Sequence, residues 1–325
     1  MAEYKGIHGT KVQDYTTDPD NPITGQVWYN ETANTLRVEA QTTAGVWASG
    51  TSVNQGRWLG SSAGTKTAAL IAGGEDPSNS PTTNTETWNG SSWTEVNNLN
   101  VGKVGMAQMI GTSSSTLAVG GGPNLQTNEL WNGTNWTEDA DISTGRRYFG
   151  GAGADNTAAL VFGGASPSVP AANQTESWNG SAWTEVNNLN TGRRNLSGAG
   201  VLYTAALAIS GGSPLTANVE QWNGTSWTEV NNVNTARGYG GASGSSSEAL
   251  FYGGDSGSNT GATESWNGTN WTETGDLSTA RQGLMCAGTL NTAALGISGY
   301  TSTYTAAVEE FTGAGSPAIR TITTD

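Results

Sequence analysis

Two kinds of charged residue recur in this chain at spacings that invite a chemical reading. Glu86, Glu129, Glu176, Glu220, Glu264 and Glu309 recur through residues 86–309. Carboxylates in pairs are the machinery of glycoside hydrolysis, one acting as acid and the other as base or nucleophile. A catalytic pair breaks symmetry, however, and none of the six stands apart from the rest. The second set is basic: Arg57, Lys103, Arg146, Arg147, Arg193, Arg194, Arg237 and Arg281. Gathered at the mouth of a channel, they would bind an anion or a sugar acid. The competing reading is that each ties its own repeat together by pairing with a carboxylate or with carbonyls, and repetition favours that reading.

Other chemistry has little to build on. His8 is the only histidine and Cys286 the only cysteine. Histidine-assisted nucleophilic catalysis therefore lacks its base in the body of the chain. Intramolecular disulfides and cysteine zinc sites are excluded. No cofactor and no metal site is expected, and the chain reads as non-enzymatic. A formal charge of −14 argues against nucleic acid as a partner. No stretch has the length and apolarity of a membrane span. The start, Met1-Ala2-Glu3-Tyr4-Lys5, does not have the form of a signal peptide.

The elements that must position these residues are repeated too. The segment Glu-x-Trp-Asn-Gly-x-x-Trp-Thr-Glu occurs five times, its first tryptophan at Trp88, Trp131, Trp178, Trp222 and Trp266, in steps of 43, 47, 44 and 44 residues. A period in the forties belongs to propellers and solenoids. One unit reads as four strands: Asn195–Gly200, Thr204–Ser210, Asn218–Trp222 and Thr225–Val230. The Asn-Gly pair between the last two predicts a two-residue type I′ hairpin. That turn would set Trp222 and Trp227 side by side on one face. Sugar stacking is one use for such pairs, and packing between repeats is the other.

Gly-rich steps close the second strand six times, at Gly73-Gly74, Gly121-Gly122, Gly163-Gly164, Gly211-Gly212, Gly253-Gly254 and Ser298-Gly299. The reading is all-β, a six-bladed β-propeller over residues 35–313, with an N-terminal arm over 1–34 and a C-terminal tail over 314–325. The second tryptophans Trp93, Trp136, Trp183, Trp227 and Trp271 each stand ten residues before a basic position, and Trp47 stands ten before Arg57. The last repeat ends at Val308-Glu-Glu-Phe-Thr-Gly313 without its tryptophan strand. The strand around Trp47 is expected to complete it. Thr35–Ala40 either competes for that place or pairs elsewhere.

The layout, with Gly-Gly after the second strand and a tryptophan followed by an arginine, resembles kelch repeats. Kelch-type copper oxidation would need histidine ligands that are missing here. The N-terminal stretch Pro22-Ile-Thr-Gly-Gln-Val-Trp-Tyr-Asn30, Thr35-Leu-Arg-Val38 and Gly45-Val-Trp47 resembles one found in tail-fibre and other virion proteins of bacteriophages. Chains with similar tryptophan repeats behind such a start resemble proteins of marine phages. The resemblance implies a virion protein but no particular position in the virion; the reading places it in the tail, attached to other virion proteins through the arm. Its expected role is adhesion to a host surface glycan or receptor. A structural decoration of head or tail without a ligand, and a glycan depolymerase, are the alternatives. A homo-oligomer is compatible with each.

The loops between second and third strands vary most: Glu75 to Asn84, Pro123 to Asn128, Ala165 to Gln174, Ser213 to Asn218, Asp255 to Ala262 and Tyr300 to Ala306. Propeller topology puts them on one face. Variation on one face of a rigid scaffold points to binding; the competing reading is that loops under no constraint drift.

Overall fold

A computed structural model describes residues 12–19, 26–41, 44–106, 108–212, 214–314 and 317–322. His8 lies outside them. The described residues are all-β and fall into two units, Val46–Thr312 and the chain before and after it.

The larger unit holds six four-stranded antiparallel sheets, numbered here in chain order. Sheet 1 comprises Ser61–Thr65, Ala68–Ala72, Thr85–Trp88 and Trp93–Val96. Sheet 2 comprises Ile110–Gly111, Thr116–Val119, Asn128–Trp131 and Trp136–Asp139. Sheet 3 comprises Gly150–Asp155, Ala158–Phe162, Thr175–Trp178 and Trp183–Val186, and sheet 4 Ser197–Leu202, Ala205–Ile209, Val219–Trp222 and Trp227–Val230. Sheet 5 comprises Gly241–Gly244, Ala249–Tyr252, Thr263–Trp266 and Trp271–Glu273. Sheet 6 comprises Met285–Leu290, Ala293–Ile297 and Val308–Thr312, and its fourth strand is Val46–Gly50, with Trp47 opposite Phe311.

These sheets form because each strand has one purpose in the repeat. Second strands such as Ala205–Ile209 are almost wholly buried and read as apolar runs. First strands are small because they run close together. A Cβ placed on Gly198 would come within 2.4 Å of the Gly151 carbonyl in the neighbouring sheet. The first strands touch in order from sheet 1 to sheet 6, and that of sheet 6 touches that of sheet 1. Core clusters fill the gaps between successive sheets, and one of them joins Trp88 and Trp93 to Met285, Leu295 and Val308 of sheet 6.

Two expectations about the turns within the repeat need correction. The Asn-Gly turns are not two-residue hairpins. Trp88 pairs directly with Trp93, leaving Asn89-Gly90-Ser91-Ser92 as a four-residue loop. Only the glycine there has a positive φ, 93° at Gly90. The Asn89 side chain instead caps the loop, its Oδ1 accepting the amides of Ser91 and Ser92 at 2.9 Å each. The step after the second strand also lies one residue earlier in two sheets, at Gly120-Gly121 and Ser210-Gly211. There Gly121 N–H and Gly211 N–H donate to the Arg146 and Arg237 carbonyls, as Gly164 N–H does to Arg193.

The smaller unit is a four-stranded sheet ordered Gln13–Tyr15, Val27–Asn30, Thr35–Gln41, Pro317–Thr321. Thr35–Gln41 thus pairs outside the repeats, and the chain after Gly313 contributes a strand. The boundary of the repeats falls at Val46, not at Thr35. Asp18 organises one side of this sheet. Its Oδ1 accepts hydrogen bonds from Trp28 Nε1 at 2.9 Å and Asn30 Nδ2 at 2.8 Å, which hold its carboxyl below the usual carboxylate range.

Candidate functional site

Most of the repeated charge is consumed inside the sheets. Arg57, Lys103, Arg146, Arg193, Arg237 and Arg281 do not line a channel mouth, because all six are buried. Each pairs with the glutamate of the third strand in its own sheet: Arg57 with Glu86, Lys103 with Glu129, Arg146 with Glu176, Arg193 with Glu220, Arg237 with Glu264 and Arg281 with Glu309. The other carboxylate oxygen accepts a backbone amide from the segment entering the sheet, as from Asn190 to Glu220 at 2.7 Å. The six glutamates are therefore fasteners, with both oxygens occupied. Burial pulls the guanidinium pKa of Arg57, Arg146, Arg237 and Arg281 down, and the partner glutamates oppose it.

The tryptophans are fasteners too. Trp88, Trp93, Trp131, Trp136, Trp178, Trp222, Trp227, Trp266 and Trp271 are buried, while Trp47 and Trp183 are half-buried. Partners within a hairpin stack at 5.2 to 5.4 Å, as in Trp222–Trp227. Second tryptophans also reach the preceding sheet, where Trp136 Nε1 donates to Thr85 Oγ1 and Trp227 Nε1 to Thr175 Oγ1. None of these nine buried rings is a surface on which a sugar could stack. Burial pushes the Cys286 thiol up to about 11, so it is not a nucleophile at neutral pH.

Two residues after each buried cation, the backbone turns left-handed at Leu59, Gly105, Tyr148, Asn195, Tyr239 and Gly283, with φ between 54° and 63°. Four of these are not glycine, which marks a constrained place in the fold. Their amides and carbonyls form a cycle. Gly105 N–H donates to Leu59, Tyr148 to Gly105, Asn195 to Tyr148, Tyr239 to Asn195, Gly283 to Tyr239 and Leu59 to Gly283, all at 2.7 to 3.0 Å. A second cycle lies outside it, from Gly74, Gly121, Gly164, Gly211, Gly254 and Gly299 to the carbonyls of the next sheet's buried cation, ending with Gly299 to Arg57.

No protein-family model matches this chain, and no curated protein matches it.

Symmetry fails on top of this cycle. The residue after each buried cation is Trp58, Val104, Arg147, Arg194, Gly238 or Gln282. Trp58 lies across Gly283, where any Cβ would fall 2.0 Å from the indole Nε1. Trp58 then meets Tyr239 at 6.1 Å and Tyr300 at 5.8 Å, and Tyr300 meets Tyr304 at 5.7 Å. Tyr148 extends the row at its other end, edge-on to Tyr239 at 5.8 Å. Beside this row a pocket opens between sheets 1 and 6, with walls that include Trp58, Glu75, Asn79, Gln282, Tyr300 and Tyr304. Tyr304 Oη donates its hydrogen to Glu75 Oε1 at 2.5 Å, and the Asn79 side-chain amide lies 2.7 Å from the same oxygen. Burial and the Glu75 carboxylate push the Tyr304 phenol up to about 12.

The pocket falls in two of the loops singled out by their variation, 75–84 and 300–306. Its aromatic residues were not singled out by sequence reasoning. The signal was present at one position per repeat, since Trp58 stands where no other repeat has an aromatic residue.

Proposed function

We propose that Val46–Thr312 is a six-bladed propeller closed by Val46–Gly50, and that the chain is a non-enzymatic adhesin of a phage particle. The two cyclic sets of backbone hydrogen bonds support six blades and closure. They have six members each, and each cycle returns to sheet 1. In this reading the smaller unit attaches to other virion proteins, and the propeller presents a glycan-binding pocket.

The observation that carries adhesion is the aromatic cluster of Trp58, Tyr300 and Tyr304 beside Glu75. It is the place where a strict repeat is broken. Aromatic faces suit the C–H faces of sugar rings, and Glu75, Asn79 and Gln282 supply hydrogen-bonding groups for hydroxyls. Hydrolysis is a poorer use of this pocket. The repeat glutamates are locked on buried cations, and Glu75 is engaged by Tyr304.

A glycan array probed with the full chain and with Trp58→Ala tests the reading. The expected result is a defined set of bound glycans that the substitution abolishes. Absence of binding, with host adsorption of the particle unchanged by Trp58→Ala, would leave the decoration reading in its place. So would antibody labelling of the whole capsid lattice.

A further inference from the structure

Nine lysines and arginines fall within Val46–Thr312. Lys66 pairs with Glu310, and six others form the buried pairs described above. Arg147 and Arg194 alone are left, and among the described residues neither meets a carboxylate or any other acceptor. Both are half-buried, and the Nε of each is sealed from solvent with no partner. They occupy the same repeat position as Trp58, in the adjacent sheets 3 and 4. Their backbones meet the cycle at Tyr148 and Asn195, which are bonded to each other.

These cations border the aromatic row. The Arg147 guanidinium lies 4.9 Å over the Tyr148 ring, and Tyr148 is packed on Tyr239. Both arginines act on the Tyr239 phenol, countering part of the rise that burial causes. Stacking uses the face of a guanidinium and leaves its N–H fork at the edge. An unpaired cation taken partly out of water is costly, and this chain carries carboxylates in excess, so its scaffold had partners to offer. A carboxylate or a sulfate ester presents oxygens that a guanidinium fork holds in bidentate fashion.

We propose that Arg147 and Arg194 form an anion subsite at the end of the aromatic row, and that the glycan is acidic, bearing a carboxylate or sulfate ester set off from the sugar that stacks on Trp58. The inference rests on the glycan reading above and narrows it.

Calorimetry with the full chain tests it, using a galacturonate tetrasaccharide, a sulfated galactose tetrasaccharide, the neutral galactose tetrasaccharide and tetraglutamate. At least one acidic sugar is expected to bind about tenfold or more tightly than the neutral one, and more weakly as salt is raised. Which acidic sugar binds distinguishes carboxylate from sulfate. Arg147→Gln and Arg194→Gln are each expected to weaken acidic binding about tenfold or more, collapsing the preference for acid. Lysine at both positions should restore part of it. Lys66→Gln, which removes a cation elsewhere, should leave affinity unchanged. Acidic binding that survives the double glutamine variant, or that is no tighter than neutral binding, overturns the subsite and leaves the glycan reading standing. Acidic binding that needs the arginines but ignores Trp58→Ala supports the subsite and removes the aromatic pocket from the reading. Binding of tetraglutamate alone, or of nothing, overturns both.

Discussion

Tyr304 donates its phenolic hydrogen to Glu75 across 229 residues of sequence, at 2.5 Å, and so fastens a loop of sheet 6 to a loop of sheet 1. The phenol is pushed up to about 12. A raised pKa means that the folded state holds the proton longer than the unfolded chain, which ionises near 10. The contribution is therefore complete below about pH 10 and is lost as the pH rises through 12. Absorbance titration at 295 nm should show a late-ionising tyrosine in the wild type that is missing in Tyr304→Phe.

The buried pairs predict asymmetric costs. Glu220→Ala strands Arg193 inside sheet 4, where its Nη1 has lost a carboxylate at 2.5 Å. The expected loss is about 3–5 kcal/mol. Replacing exposed Glu229, which stands opposite Glu220 in the register, removes one of two facing like charges. That change should be neutral to stabilising by at most about 1 kcal/mol. Urea unfolding of both variants measures the difference.

Trp47 tests the composite sheet. Its ring lies 4.8 Å from Tyr252 and 5.1 Å from Phe311, and its Nε1 donates to Thr263 Oγ1 at 3.1 Å. Trp47→Ala should cost about 2–4 kcal/mol, toward the lower end for a large aromatic because the ring is half-buried. Hydrogen exchange should rise first in Val308–Thr312, its strand partner.

Asp18 predicts an acid response confined to the smaller unit. Its folded pKa is depressed by the hydrogen bonds from Asn30 and Trp28. Such a group stabilises above its unfolded pKa, about 3.9, and that stabilisation is lost as pH falls through the lower folded value. The indole N–H resonance of Trp28 should shift below about pH 4, while those of buried repeat tryptophans such as Trp178 stay in place.

The repeat made much of this fold legible. The four strands of sheet 4 lie within two residues of the expected ones, because apolar Ala205–Ile209 and the paired Trp222 and Trp227 leave one sensible pairing. The partner of Val308–Thr312 was legible from a single spacing, Trp47 to Arg57. What spacing could not supply was direction. Ten residues after each tryptophan locates Arg193 along the chain, and repetition favours its pairing with a carboxylate, as found, but the spacing does not say that the partner is Glu220. The turn failed for a related reason. Asn223-Gly224 has the composition of a type I′ pair, yet the Asn223 side chain accepts the amides of Thr225 and Ser226 and builds a longer loop. The strand Pro317–Thr321 belongs to no repeat and carried no signal. The aromatic row was hidden because its members come from four sheets and meet only after the first strands converge.

The sheet that borrows Val46–Gly50 also sets a timetable for synthesis. That strand leaves the ribosome long before its partner Val308–Thr312, and at 5–20 residues per second the intervening ~260 residues take about 13–50 s. Throughout that interval Trp47 lacks the Phe311 ring that packs on it, and an edge strand stands open to other nascent chains. Crowded expression should therefore be the condition under which this protein aggregates, and slower initiation should relieve it.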